Sequence, residues 1–484
     1  MSKTIFEHST AGRKGVTLPK REIDIPVATM FPETMLRTKK ARLPEVSELD
    51  VMRHYITLSQ KNHFIEKGLY PLGSCTMKYN PKLHETLIRD SAFTSLHPYQ
   101  PEETLQGALE LMYELQKDLA EIAGMAGVTL QPSAGAQGEF TGIKIVSAYH
   151  KAKGNTHKDT IIIPDSAHGT NPATCSLVGY KTVELASNEK GRCDIAKLRE
   201  LVNENTAGIM ITNPSTLGLF ETQIEEIADI IHSVDALMYM DGANLNALLG
   251  IVQPGKIGFD LMHFNLHKTF ATPHGGGGPG SGPVAVNDKL LPFLPVPVIT
   301  KDEKGYHLSF ANEKTSIGKV HSFYGNFAVL IRAYIYIKML GAEGLQRVSE
   351  NAILNANYLM KRLNPYYHIE HQEPCMHEFV MDGTWQKKES GITTLDIAKR
   401  LLDKGFHAPT IYFPLIIPEA MMVEPTETES LESLDAFATA MIEIAAECKE
   451  NPELVKEAPL TTPVRRVDDA RAVKMLEPIF PLQD

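Results

Sequence analysis

A lysine preceded by a histidine stands in "FNLHKTFATPHGGGGPG", residues 264–280, where the chain turns within a few positions to almost pure glycine. A lysine amine attacks carbonyl carbon only where partial desolvation lowers its pKa. Glycines at 275–278 and 280 let backbone approach without side-chain clash, which suits the enclosure of Lys268. Alone, Lys268 is also what a salt-bridging lysine beside a loop looks like. Asp241, in "YMDGANLNA", shifts that reading. A buried carboxylate on a neighbouring strand could hold the protonated pyridine nitrogen of a cofactor, although an aspartate there also serves as a cap before "GANLNA". His168, in "AHGTNP", offers a flat imidazole for stacking on an aromatic cofactor, or stays a locally bonded loop histidine. "SAGAQGE" (133–139) combines small residues with a helix start, so backbone N–H groups can face an anion. It is neither a Walker A loop nor GxGxxG, and a tight loop before a helix has the same composition. His263 and His267 have the four-residue spacing of a helical metal pair, but they lie in a strand-to-loop stretch, so no metal site is expected.

These side chains matter only if the elements around them converge. Short apolar runs bounded by turn residues occur at "TIIIP" (160–164), "AGIMITNP" (207–214), "ALMYMDG" (236–242), "DLMHFN" (260–265) and "GPVAVN" (282–287). Helical patterns at 194–205 and 223–234 separate several of them. This strand–helix rhythm predicts an α/β fold with a mostly parallel sheet covered by helices. Ligands of such sheets bind outside the carboxyl ends of the strands. Asp241, Lys268, Asn213, the loop 165–170 and "SAGAQGE" would then meet at one sheet edge. Ahead of the sheet, Leu105, Leu109, Met112, Leu115, Leu119 and Ile122 share one helical face.

Beyond Phe323 a long helical stretch leads to a region of different character. "HIEHQ", "HEFVMDG" and "TIYFPLI" read as strands, Thr393–Gly405 as a helix with a polar start and a glycine stop, and "LESLDAFATAMIEIAAECKEN" as another helix. The first hundred residues are mostly irregular. Gly12–Pro44 is rich in proline and mixed charge and is expected to lie against another surface. Leu49–Asn62 reads as a helix and Tyr70–Pro81 as an ordered loop. The organisation is therefore an extension with an ordered loop (1–100), a large domain (101–330) and a smaller α+β domain with its connecting helix (331–484).

With 484 residues, 43% hydrophobic and 22% charged, the chain can bury a large core. A net charge of −11 without a basic run argues against nucleic acid or an anionic membrane as partner. Cysteines at 75, 175, 193, 375 and 448 are odd in number and form no CxxC, which fits a reducing cytosol. "MSKTIFEHSTAGRKG" lacks the apolar core of a signal peptide, and no run of about 18 apolar residues is present. A soluble cytoplasmic protein is expected.

Taken together, these segments resemble the fold-type-I pyridoxal-phosphate enzymes. "YPLGSCTMKYNPKLHE", "QPSAGAQGE", "PDSAHGTNPA", "TNPSTLGLFE", "YMDGANLNA" and "NLHKTFATPHGGGGPGSGP" are similar, in order, to the P-protein (glycine decarboxylase) family of the glycine cleavage system, in its two-subunit form. The similarity extends from "IFEHSTAGRKG" to the C-terminal domain and points to the second subunit. It implies a seven-stranded-type sheet sandwiched by helices, a smaller α+β domain and an irregular N-terminal extension. It also implies pyridoxal 5'-phosphate bound covalently as an aldimine at Lys268, with Asp241 on the pyridine nitrogen. His168 would stack on one ring face and Ala243 lie beneath the other. Gly135, Ala136 and Gln137, helped by Thr269, would hold the phosphate, with His267 in the same shell and Asn213 or Thr170 near the phenolic oxygen. Glycine would lose its carboxylate as carbon dioxide and pass its aminomethyl group to the lipoyl arm of an H-protein, whose disulfide is reduced. A paralogous subunit 1, two copies of each chain, would complete the enzyme, with the extension wrapped around it. Two other readings stay open: another fold-type-I amino-acid decarboxylase or aminotransferase, and a cofactor-free scaffold subunit.

Overall fold

Seven short strands build the main sheet of the computed structural model, which describes residues 3–20, 22–39, 41–274 and 280–476. They are β1 (Gly127–Thr129), β2 (Thr160–Pro164), β3 (Lys181–Leu185), β4 (Thr206–Thr212), β5 (Leu237–Gly242), β6 (Leu261–Phe264) and β7 (Val284–Val286), in the spatial order β1-β7-β6-β5-β4-β2-β3. The pairs β2·β3, β2·β4, β4·β5 and β5·β6 are parallel, and only β7 runs against its neighbours. The expected parallel centre is present because β4, β5 and β6 are apolar on both faces, and every residue in them is buried. The run at 282–287 is a strand as expected. It is the antiparallel one.

Helices cover both faces. Gln106–Ala123 buries Leu109, Met112, Leu115 and Leu119, the face read from sequence, each worth about 1.5–3 kcal/mol when fully buried. Ile122 is only partly buried at the margin of that core. On the other face, Gly135–Ala152 packs close to the sheet, where a Cβ on Gly142 would come within 2.6 Å of the Tyr239 hydroxyl. Ile224–His232 contributes Ile224, Ile227 and Ile231 to the core.

An edge strand and a hairpin escaped the sequence pattern. The edge strand β3, "KTVEL", is largely exposed and carries no apolar run. The hairpin β8 (Val298–Asp302) and β9 (Gly305–Ser309) is short and polar. The helix after Phe323 spans Phe327–Leu363, but Gly341 breaks it with φ +62°, a backbone state that glycine adopts without steric penalty.

Downstream, β10 (Phe379–Asp382), β11 (Thr410–Ile411) and β12 (Ala420–Val423) form an antiparallel sheet in the order β10-β12-β11. "HIEHQ" is not a strand. It makes one isolated bridge, His368 to Asp382, and only Ile369 of its five residues is buried. "TIYFPLI" is a strand only at Thr410–Ile411, because Pro414 cannot donate to a ladder. β12, whose four residues are all buried, is the central strand and went unread. Helices Thr394–Asp403 and Leu431–Glu450 back this sheet; the first opens with a capping box from Thr393 and Asp396.

By contact the chain resolves into two units, Ile65–Leu460 and Met1–Phe64 with Thr461–Asp484. The second unit has little regular structure beyond the helix Glu48–Ser59, capped by Ser47, and its large apolar residues Val16, Leu18, Ile23, Met30 and Met35 are exposed. Glycines 275–278 of the opening motif lie outside the described residues.

Candidate active site

Sheet register builds the centre of the site. Asp241 pairs with Thr212 on β4 and with His263 on β6, so three polar side chains stand abreast on one sheet face. Asp241 is 2% exposed. Its Oδ1 accepts from the Ala243 N–H at 2.9 Å and its Oδ2 from Asn171 Nδ2 at 3.1 Å and Thr212 Oγ1 at 3.4 Å. His263 Nε2 lies 3.2 Å from Asp241 Oδ1, and its Nδ1 meets the Tyr239 hydroxyl at 3.1 Å. Burial would raise the pKa of Asp241, but the His263 ring and the Ala243 N–H outweigh it and hold the carboxyl below its usual range. His263 is raised in turn: Asp241 overcomes the burial that opposes its charge. Asp241 is therefore a fixed buried anion.

Lys268 follows β6 in the single-turn helix Leu266–Thr269 and is half-buried. Among the described residues no hydrogen bond or ion pair engages its Nζ. The turn is held by another lysine. Lys78, 4% exposed, donates to the Thr269 carbonyl at 3.0 Å and to Asn246 Oδ1 at 2.7 Å, and pairs with Glu427 at 2.6 Å. His267 packs edge-on to His274 at 5.2 Å, and burial holds its ring neutral with a pKa near about 3. His263 and His267 thus serve different neighbours and do not form a ligand pair.

The remaining expected residues ring this centre. Asn213 ends β4; it is fully buried, its Oδ1 accepts from the Glu221 N–H at 3.0 Å, and its Nδ2 has no partner. The Thr170 hydroxyl is already engaged, donating to Glu139 Oε1 at 2.8 Å and meeting His168 Nδ1 at 2.8 Å. Of the two, Asn213 alone presents a free donor. His168 is exposed on the loop after β2, with Phe413 edge-on at 5.8 Å. Ala243 is buried two residues past Asp241. Gly135, Ala136 and Gln137 form the first turn of the helix Gly135–Ala152, where N–H groups lack intrahelical acceptors. A Cβ on Gly135 would collide with Asn265, the residue that caps the Lys268 turn. The Gln137 side chain is occupied: its Oε1 accepts from Ser133, and its Nε2 donates to the Val320 carbonyl.

A second polar cluster was not anticipated. Glu378, immediately before β10, and Glu424, immediately after β12, are fully buried beside His377. The ordered loop at 70–81 meets them: the Ser74 N–H donates to Glu378 Oε2 at 2.7 Å and the Thr76 N–H to Glu424 Oε2 at 2.9 Å. His377 Nε2 lies 3.7 Å from Glu378 Oε1 and 3.9 Å from Glu424 Oε1. Cys75, between Ser74 and Thr76, has its carbonyl 2.7 Å from His274 Nε2, and His274 packs on His267 at 5.2 Å, so the cluster borders the candidate nucleophile, whose positive field reaches Glu378, Glu424 and His377. Only the charged pair at the start of "HEFVMDG" and the glutamate in "MMVEPTETE" hint at it in sequence.

Comparison with known proteins accounts for this arrangement. Residues 137–380 match the aminotransferase class-V family and residues 348–460 match the family described as glycine dehydrogenase, C-terminal domain. The chain is 56% identical over 473 residues to the probable glycine dehydrogenase (decarboxylating) subunit 2 of Chlorobium chlorochromatii, covering 98% of each chain. It is 57% identical over 471 residues to the protein of the same name from Caldanaerobacter subterraneus subsp. tengcongensis, covering 97% of each. The chain belongs to the glycine dehydrogenase (decarboxylating) subunit 2 family. Among solved structures, a glycine decarboxylase (P-protein) of the glycine cleavage system in inhibitor-bound form superposes with a TM-score of 0.72 at 22% identity, covering 86% of this chain and 94% of that one. A glutamate decarboxylase of Lactobacillus brevis superposes with a TM-score of 0.65 at 14% identity, covering 86% and 96%. The fold is that of the fold-type-I pyridoxal-phosphate enzymes.

The residues present fit that cofactor. Thr269 Oγ1 and Asn265 Oδ1, in the turn that carries Lys268, and Asn213 Nδ2, one residue past β4, are buried polar atoms without partners. Buried polar atoms left unpaired in a native protein call for a ligand or water. An aromatic cation with a phosphate supplies partners for donors, acceptor and anion together.

Proposed function

We propose that this chain decarboxylates glycine, releases carbon dioxide and passes the aminomethyl group to the lipoyl arm of an H-protein, as the second subunit of a two-subunit P-protein. The observation that carries the reading is the free amine of Lys268 one strand away from the buried, ionised Asp241, in a chain of this family. Lys268 would hold pyridoxal phosphate covalently through Nζ, and Asp241 would keep the pyridine nitrogen protonated. Backbone at Gly135, Ala136 and Gln137 with the Thr269 hydroxyl would bind the phosphate, His168 and Ala243 would flank the ring, and Asn213 would donate to the phenolic oxygen. Bound there, the cofactor supplies an electron sink for the pair left when the carbon–carboxylate bond breaks.

The protein's own residues do the rest. Asp241 stays anionic because His263, Asn171 and the Ala243 N–H all stabilise its charge. Lys78, itself in a buried ion pair with Glu427, fixes the backbone of the turn that carries Lys268. Almost complete burial of the cluster around Glu378 removes water from one wall of the site.

The name of the relatives implies a first subunit. We take the exposed apolar residues Val16, Leu18, Ile23, Met30 and Met35 of the extension as the surface that meets it, in a two-plus-two assembly. The three-part organisation with borders near 100 and 330, and a cytoplasmic setting, belong to the same proposal; the five cysteines are free thiols, and among the described residues no helix is long and apolar enough to cross a membrane. Full-length identity to subunit 2 relatives disfavours the other decarboxylases and the scaffold. Exchange of labelled bicarbonate into the glycine carboxyl, measured with subunit 1 and H-protein present, tests the reading. An aldimine absorbance without any exchange would refute the glycine assignment, and a colourless protein after reconstitution would refute the cofactor assignment.

A further inference from the structure

Glu378 and Glu424 present a charge problem that the assigned roles do not solve. Both side chains are fully buried, and their acceptor atoms lie within 4.8 Å of one another and of His377. Each carboxylate has one oxygen bonded to a backbone N–H, and Asn244 Nδ2 reaches Glu378 Oε1 at 3.3 Å. Glu424 Oε1 has no partner, and neither nitrogen of the fully buried His377 has one, although its Nε2 is aimed between the two acids. Two ionised carboxylates that close cannot both stay charged without water or a cation between them.

The groups facing the pair are few. Lys268 supplies the positive field, while His377 carries none, because burial holds its pKa near about 3. Glu427 adds a negative charge toward Glu424 but is itself neutralised by Lys78. The thiols of Cys75 and Cys375 also face the pair, and burial pushes both away from the thiolate form. Burial, reinforced by mutual repulsion, raises Glu378 well above its usual range, and Glu424 is raised to about 7.

We infer that Glu378 and Glu424 share a single proton between facing carboxyl groups, and that this pair takes up and returns the proton exchanged at the amine centre beside Lys268. The inference rests on glycine being the substrate. Glycine arrives as an ammonium, and its nitrogen attacks only after losing a proton. One N–H bond of that ammonium breaks and one O–H bond forms on the pair, so a cation and an anion become two neutral groups with no electron gained or lost. The reverse transfer returns the proton when the amine leaves. The two acids stand side by side at one end of the small antiparallel sheet, one step beyond the Phe379–Val423 pair, and the loop at 74–76 satisfies the outer oxygen of each. The inner oxygens, Glu424 Oε1 without a partner and Glu378 Oε1 with only Asn244 Nδ2, are left to share the proton.

Infrared spectroscopy of the full chain labelled with carbon-13 glutamate tests this without turnover. A buried carboxylic-acid band is expected at neutral pH in the wild type, decreasing but not vanishing as pH rises above about 7, because Glu378 is held well above its usual range. In Glu378→Gln and in Glu424→Gln the band should shift in frequency and titrate at lower pH than in the wild type, since the like charge is gone while burial still favours the protonated form of the remaining carboxyl. Adding glycine to the cofactor-loaded wild type should increase the band. A wild-type spectrum with no acid band at neutral pH would overturn the inference, and that measurement needs no variant. So would stoichiometric divalent metal in the purified chain that Glu424→Gln removes, because a metal would then be the missing partner. Persistence of the acid band in a chain that neither binds nor exchanges glycine would refute the proposed function and leave the shared proton standing. A glycine-exchanging chain without the band would do the opposite.

Discussion

Asp241 and the Glu378–Glu424 pair are both carboxylates sealed from water, bordering the same lysine, yet they have opposite electrostatic fates. Asp241 has a histidine, an amide and a backbone N–H on its oxygens and remains an anion. The glutamates have backbone N–H groups on their outer oxygens only, and a histidine too buried to charge, so they retain a proton near neutrality. Burial is common to both places and therefore decides neither. The identity of the immediate partner decides. Separating the proton affinities of neighbouring acids is how one site holds a permanent anion and a proton carrier together.

The contrast can be broken at several points. Lys268→Ala should abolish exchange of the glycine carboxyl completely and remove any borohydride-trapped cofactor, as mass spectrometry would read; retained covalent cofactor would place the attachment elsewhere. Asp241→Asn should lower activity by about 10²–10³-fold, the usual effect of removing one electrostatic stabiliser. Because it strips a buried anion from His263, it should also cost about 3–5 kcal/mol in urea melts. Glu424→Gln should act in the reverse direction on stability. The Glu424 pKa is raised on folding, so its contribution is fully present below the unfolded value and is lost as pH rises through about 7. Wild-type thermal stability should therefore fall between about pH 4.5 and about pH 7 on this account, and the variant should flatten that decline, gaining on the order of 1–3 kcal/mol at the upper end. For Asp241 the depressed pKa reverses the sign: its stabilisation is present above the ordinary carboxylate range and disappears as pH falls through the folded value. The smallest effect is expected of Thr269→Val, which keeps the shape but loses the unpartnered hydroxyl; cofactor retention should weaken by about tenfold in equilibrium dialysis, the worth of one hydrogen bond.

The two acid sites also differ in how far the sequence revealed them. Asp241 and Lys268 end apolar runs that are buried on both faces, and such runs announce a parallel strand and the position of its carboxyl end. Asn213, the loop at 165–170 and the helix start at 133–139 followed from the same rule. His263 was read only as half of an unneeded metal pair, because no pattern shows which strand lies next to which until β5 and β6 are in register. Glu378 and Glu424 flank two short strands of a sheet whose central member, β12, left no recognisable signal between Pro418 and Pro425. Long-range pairing of three segments, 74–76, 377–378 and 424, creates that cluster, and none of the three carries chemistry alone. β3 was missed for a plainer reason: a largely exposed edge strand needs no apolar run, while the β8–β9 hairpin buries only Ile299 and Tyr306, one residue per strand.

The loop at 69–78 has a mechanical consequence. It bridges to β12 through Leu72 and Val423, gives its Gly73 carbonyl to the Thr410 hydroxyl at 2.8 Å, and reaches the Lys268 turn through Lys78. A hinge opening that parted the three-stranded sheet from the seven-stranded one would have to tear these bonds and those of Ser74 and Thr76 at once. The two sheets are therefore laced into one stiff frame, and glycine must enter and its product leave by movements smaller than the swing of a whole domain.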